Sequence, residues 1–324
     1  MSCVLITGGN GRTARLLIET LLNHPNCPNL RVLVRPGGYD ALKQSFPLLT
    51  SSPHEIVLAD YMDEPTLAPA FKDVSLVVHN GPSIHQNEAA MAIGVIEAAK
   101  SAGVGHFILC SVLHPMRSKL VTHKLKLQVE EYLVESRMNY TILQVWIVSY
   151  PFTPLTASPL QPTNYMQNVS LGHVMRTGKI PLGYSDDVEQ GFLDLRDLCL
   201  VLRQIIMDPV RHNRATYELV GENKTYKEVA AILQDVMGRD VQCEVIPVQR
   251  YIAMLKEGRI IQSEYAEDAM ERIIVYHNRW GLTGNSNVLR WLLDREPNTW
   301  RQSGFLRYLI PKIPLMYNTV PYLM

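Results

Sequence analysis

The chain has 324 residues, with 31 Lys+Arg balanced by 31 Asp+Glu, 47% hydrophobic residues and 19% charged ones. These proportions suit a packed globular protein and exclude a mostly disordered chain, which needs low hydrophobicity and high net charge. A formal charge of zero also argues against nucleic-acid binding by bulk electrostatics, since no cation excess is present to displace phosphate counterions.

The N-terminal MSCVLITGG lacks a basic region followed by a long apolar run, so no signal peptide is expected. No apolar run reaches the roughly 18 residues of a membrane span, so no membrane association is expected either. The scattered cysteines Cys3, Cys27, Cys110, Cys199 and Cys243 form no C-x-x-C pair. Neither a zinc site nor a disulfide framework is therefore expected. His79, His85, Asp60 and Asp63 have no metal-ligand spacing, and the site is read as metal-free. The location these readings favour is cytoplasmic.

In chain order, runs of β-type residues occur at Cys3–Thr7, Leu30–Arg35, Glu55–Asp60, Val74–His79, His106–Ser111 and Tyr140–Gln144. Helix-like stretches separate them, clearest at Arg12–Leu22, Asn87–Ala102 and Leu125–Ser136. This alternation predicts an α/β protein whose Rossmann-type, doubly wound parallel sheet is covered by helices on both faces. Such sheets bind ligands beyond the carboxyl ends of their strands. Further on, Gly191–Met207 reads as an extended piece entering a helix and Thr216–Val220 as a strand. Thr225 and Glu228 have the spacing of a capping box, opening a helix that stops at Gly238. The division expected is a nucleotide-binding domain over 1–144, to which later segments return, and a smaller C-terminal α+β substrate-binding portion over 162–310. An irregular tail follows over 311–324.

Residues 145–161 interrupt the pattern with a proline-rich stretch. Leu143-Gln144 and Leu160-Gln161 repeat on its two sides, and excising the residues between leaves the continuous YTILQPTNYMQN. Two readings stand: a lid loop contributing Trp146, Tyr150 or Phe152, or translated intron sequence in the gene model. Trp291 and Trp300, among the C-terminal helices, are expected in the core or a pocket wall.

The strongest local signal is Thr7-Gly8-Gly9-Asn10-Gly11-Arg12-Thr13-Ala14, between the first strand and the first helix. Gly8 permits the tight turn, and Gly11 lets a pyrophosphate approach the free N–H groups at Arg12 and Thr13. Arg35 ends the second strand, where NAD-preferring sites place an acidic residue. A cation there, joined by Arg12, suits the 2′-phosphate of NADP(H). Asp60, Asn80, Gly81 and Ser111 end the third, fourth and fifth strands, as candidate contacts to adenine, ribose and nicotinamide. Turn and loop capping explain Asp60 and Asn80-Gly81 equally well. His106 and His114 bracket Ser111 without a fixed acidic partner, so no hydrolase triad is read.

Ser111-Val112-Leu113-His114-Pro115, HKLKLQVEEYLVESRMNYTILQ, DLRDL at Asp194–Leu198, YELVG at Tyr217–Gly221 and RWGLTGNSNVLRWLL at Arg279–Leu293 together resemble the NmrA-like family of atypical short-chain dehydrogenases/reductases, its fungal members in particular. The resemblance implies a Rossmann-type NADP-binding domain and a C-terminal substrate domain. It also implies a choice among NADPH-dependent reductases, redox-sensing regulators without catalysis and ring-closing enzymes of biosynthesis. Lys126 falls at the lysine of the Tyr-x-x-x-Lys motif, but Thr122 stands where the proton-donating tyrosine belongs. His123, one helical turn from Lys126, is the replacement acid or base considered, while Lys124 is read as solvated. The segment that faces the nicotinamide in the family corresponds to Pro162–Asn168, with Tyr165 and Asn168 as substrate contacts.

The leading expectation is an NADPH-dependent oxidoreductase acting on a small organic substrate, aromatic or polyketide-like, in fungal metabolism. Lys126 and His123 are its candidate catalytic residues. The rivals are a non-redox cyclase or isomerase, for example one adding a phenol oxygen across an alkene, and a catalytically silent NADP(H) sensor acting on a protein partner.

Overall fold

The computed structural model describes residues 2–145 and 165–302. The stretch with Trp146, Tyr150 and Phe152, the Pro162–Asn164 part of the nicotinamide-facing motif and the tail all lie outside the described residues.

Seven parallel strands form the central sheet in the order β3-β2-β1-β4-β5-β6-β9. They are β1 (Cys3–Ile6), β2 (Asn29–Val34), β3 (Glu55–Leu58), β4 (Leu76–His79), β5 (His106–Val112), β6 (Tyr140–Val145) and β9 (Ala215–Glu218). The six strands read from the sequence are present. The seventh comes from the TYELV segment, which pairs with β6 through Thr141↔Ala215 to Gln144↔Glu218.

The sheet is buried on both faces because its strands alternate apolar residues with apolar residues. Val4, Ile6, Val32, Val34, Ile108 and Cys110 pack one way, against helices α1 (Arg12–Leu22) and α7 (Leu195–Met207). Leu5, Leu33, Val77, Phe107 and Leu109 pack the other way, against α3 (Glu64–Ala70), α4 (Glu88–Ser101) and α5 (Val121–Glu135). α5 begins ahead of the Leu125 expected from periodicity, so Thr122, His123 and Lys126 all ride on one helix. Two short helices had no clear sequence signal: α2 (Tyr39–Ser45) and α3, which carries Pro69 inside it.

A second core lies beside the sheet. It is built from α6 (Leu171–Thr177), α8 (Tyr226–Met237), α9 (Val248–Glu257) and α10 (Glu264–Trp280). The strand pairs β7 (Lys179–Leu182) with β11 (Gln242–Val245), and β8 (Gln190–Phe192) with β10 (Glu222–Lys224), complete it. Phe192 meets Trp300 and Tyr226 edge-on at its centre, both with ring centroids 5.3 Å apart. α8 starts on the expected capping box and ends at Gly238, whose φ of +64° is left-handed. Trp300 is buried as expected, but Trp291, on α11 (Asn287–Leu293), is 73% exposed and belongs to neither core nor pocket wall. Its helix buries Leu289 and Leu293 instead, which turns Trp291 outward.

Candidate functional site

The strand order reverses between β1 and β4, which makes a crevice where the strands end. Thr7 closes it. Its buried hydroxyl accepts from the Asn80 N–H at 3.1 Å and lies 3.0 Å from His79 Nδ1. Gly8 follows with φ +66°, and a Cβ there would lie 2.4 Å from the Asn80 carbonyl oxygen. A Cβ on Gly9 would lie 2.3 Å from Val32 Cγ1, so the loop sits directly on β2. Asn10 Nδ2 donates to Gly38 O at 2.7 Å, fastening the loop to the turn after Arg35.

Gly11 caps α1 in an extended conformation without any side-chain cap, and the first turn holds no acidic residue. The first N–H groups of α1, with the positive end of its dipole, therefore face the crevice without an internal neutralising group. Around this cradle Asn80 Oδ1, His79 Nε2 and Asn168 Nδ2 are buried without hydrogen-bond partners. Buried polar groups are ordinarily satisfied. Orphaned acceptors and donors beside a glycine cradle fit a ribose and a nicotinamide amide, so the residues present suit a dinucleotide.

The two cations expected to share one phosphate stand in different settings. Arg35 is exposed at the end of β2. Arg12 turns away to Asn168 Oδ1 and to the Gln167 carbonyl at 3.3 Å, and burial lowers its pKa. Gln167 is held in turn by Asp194, which accepts from its Nε2 at 2.6 Å and caps α7 through the Arg196 N–H. A cavity of about 510 Å³ opens along the outer side of α1, lined by Arg12, Arg15, Ser45, Phe46, Gln167 and Arg196.

Asp60 is exposed, and its Oδ1 accepts from the Met62 N–H at 2.9 Å, the loop-capping arrangement. Gly81 lies over His79, where a Cβ would come within 2.8 Å of Nε2. Ser111 is fully buried, donating to Glu130 Oε1, while Gln144 Nε2 donates to the other oxygen at 2.9 Å. Burial pushes the Glu130 carboxyl above its ordinary range. Tyr165 is buried against the sheet near Cys110 and Cys199, and burial raises its phenol well above the usual value. It backs the glycine loop from the α1 side.

On α5, Thr122, His123, Lys126 and Glu130 are buried and Lys124 is exposed. Lys126 Nζ lies 2.8 Å from Glu88 Oε1, with the two side chains 5% and 1% exposed. His123 lies elsewhere in character. Its Nδ1 is 3.1 Å from the His114 carbonyl, and burial drives its pKa down to about 4. Its neighbours include Arg117 and His277 of α10, so the residue leans to the second core.

His106 and His114 do not converge on Ser111. His106 Nε2 contacts Thr141 Oγ1 at the opposite end of β5, and His114 Nε2 contacts the Thr283 carbonyl. Sequence reasoning passed over Glu88 and Tyr61, weighed His79 only as a metal ligand, and used Asp194 only as part of a family motif. Tyr61 packs edge-on to His79 at 5.8 Å. An acidic residue opening a helix reads as dipole stabilisation, which hid Glu88. Among the described residues no group of His, Cys, Asp or Glu is arranged to hold a metal, and no helix is long and apolar enough to cross a membrane.

Quinone oxidoreductase 2 of Escherichia coli (strain K12) is 24% identical over 303 residues, covering 93% of this chain and 96% of that protein. The crystal structure of that enzyme with NADPH has a TM-score of 0.72 at 22% identity, covering 97% of this chain and all (100%) of the other. The Citrobacter sp. triphenylmethane reductase complexed with NADP(H) gives 0.72 at 19% identity, covering 94% and 100%. NmrA, a negative transcriptional regulator crystallised with NADP, gives 0.68 at 18% identity, covering 100% and 99%. At these identities the structural likenesses establish the fold. A model of the NmrA-like family matches residues 1–291, and the chain belongs to that family.

Proposed function

We propose that the chain is an NADPH-dependent oxidoreductase that reduces a small organic substrate of quinone or conjugated-carbonyl type. An aromatic or polyketide-like substrate of fungal metabolism is the narrower form of this reading, supported by motif resemblance alone. The observation that carries the proposal is the glycine cradle at the β1/β4 crevice, ringed by the partnerless Asn80 Oδ1 and Asn168 Nδ2. Its relatives include a quinone oxidoreductase and a triphenylmethane reductase.

Bound NADPH would supply the hydride. The α1 N–H groups, beginning at Arg12 and Thr13, bind the pyrophosphate. Arg35 meets the 2′-phosphate. Asn80 and Gly81 flank the ribose. Lys126 orients ribose and substrate, and Arg12 holds the Gln167–Asn168 segment over the nicotinamide end. His123 is neutral at neutral pH, so Lys126 or water is the proton source for the substrate oxygen. Ser111 acts behind Lys126, through Glu130.

One observation favours a second reading, an NADP(H)-sensing regulator with a protein partner. Thr122 stands in place of the proton-donating tyrosine, and NmrA is among the structural neighbours. Mixing the protein with NADPH and a panel of quinones separates the two. The enzyme reading expects NADPH consumption that requires both protein and quinone. Tight NADPH binding with no consumption across the panel would replace it with the regulator.

A further inference from the structure

Lys126 and Glu88 meet at the floor of the crevice, one from α5 and one from the first turn of α4. The contact is an ion pair in which neither Glu88 oxygen has a directed hydrogen bond. A nearly dry pair of this kind is costly to bury, so it is weak evidence for stability and invites a functional account.

The surroundings leave Glu88 as the counter-charge. On α5, Glu130 is already engaged by Ser111 and Gln144, and burial pushes its carboxyl up. On β4, His79 is held neutral, its pKa driven to about 3 by burial and by the Lys126 charge. On β5, Cys110 is a buried thiol pushed up to about 12. On α10, the Tyr265 hydroxyl is buried without a partner, and burial together with the Glu88 charge pushes it up to about 12.

The loop that delivers Glu88 is also held in an unusual shape. Ile84 is 6% exposed and has φ +57°, a conformation costly for a β-branched residue. The backbone runs from Asn80 through this strained point to α4, which fixes Glu88 relative to the glycine cradle.

We infer that Glu88 is a positioning residue for Lys126, holding its ammonium aimed at the nicotinamide end of the crevice. The inference rests on the oxidoreductase reading for its catalytic consequence, but the pairing itself can be read without turnover.

The test uses the full chain as wild type, Glu88→Gln and Glu88→Asp, with circular dichroism to confirm folding. In Glu88→Gln the Lys126 signal, followed by NMR on isotope-labelled lysine and assigned with Lys126→Arg, moves from its wild-type chemical shift, because the carboxylate 2.8 Å from Nζ is gone. kcat falls about 100-fold, as for a misplaced catalytic group, while NADPH affinity changes far less. Glu88→Asp, which keeps the charge on a shorter arm, gives a smaller displacement of that signal with a lowered kcat. If Glu88→Gln does not fold, Glu88→Asp carries the test alone, and a wild-type kcat there overturns the inference. An unmoved Lys126 signal in a folded Glu88→Gln overturns it as well. Wild-type protein that binds NADPH but reduces no quinone, while the Lys126 signal still moves in Glu88→Gln, removes the oxidoreductase reading and the catalytic role together and leaves the pairing.

Discussion

In the proposed site, Gly8 and Arg35, which follow neighbouring strands, divide the work of one nucleotide. At Gly8 the left-handed turn and the 2.4 Å approach to the Asn80 carbonyl leave room for no side chain, so a nucleotide there would meet bare backbone. Arg35 would add the opposite kind of contact, since it is an exposed guanidinium at the end of β2 able to make charge-assisted bonds to a phosphate. Since Arg12 is committed to Gln167 and Asn168, the proposal gives the 2′-phosphate to Arg35. Arg35→Asp should therefore weaken NADPH binding about 10–100-fold while leaving NADH binding within a few-fold, as for loss of one charged hydrogen-bonding group. Fluorescence titration of both nucleotides checks this, and equal losses would remove Arg35 from the site.

At the scale of elements, what was legible in the sequence was what local periodicity encodes. The strands from Cys3, Leu30, Glu55, Val74, His106 and Tyr140, the glycine turn into α1 and the capping box at Thr225 are all patterns within a few residues. What was not legible depends on partners far away in the chain. Nothing local says that TYELV returns to pair with β6. Nor does anything local say that Arg12 reaches residues 167–168, or that Glu88 at the head of α4 meets Lys126 on α5. His123 illustrates the same gap. Its i,i+3 spacing to Lys126 suggested a shared face, yet the helix packs between two cores, and burial, not its helix neighbours, decides its charge state. Trp291 failed for a related reason, since a short helix buries only one stripe and the tryptophan lies off it.

At the scale of the whole molecule, buried histidines make stability depend on pH. His79 and His277 are driven down to about 3, and His106 and His123 to about 4, all by burial first. Unfolded histidine titrates near 6.5, so between these values the unfolded chain binds more protons and stability falls as pH falls. At pH 5 each contributes a loss of about 2 kcal/mol relative to neutral pH. Glu130, Asp197 and Glu222, whose pKa values burial raises, oppose this by gaining relative stability as pH falls. The histidines outnumber them, so the urea midpoint should drop clearly from pH 7.5 to about pH 5. An unchanged or higher midpoint would mean that these side chains are hydrated rather than buried.

The neutral total charge of the chain conceals local positive character at the strand ends, where Arg35 is exposed and the N-terminus of α1 lacks an acidic residue. The central claim is that this crevice holds NADPH, and equilibrium titration of the 324-residue chain with NADPH and NADH tests it most directly. Saturable binding of NADPH, at least about tenfold tighter than NADH, is the predicted result. No saturable binding of either nucleotide, or a clear preference for NADH, would contradict it.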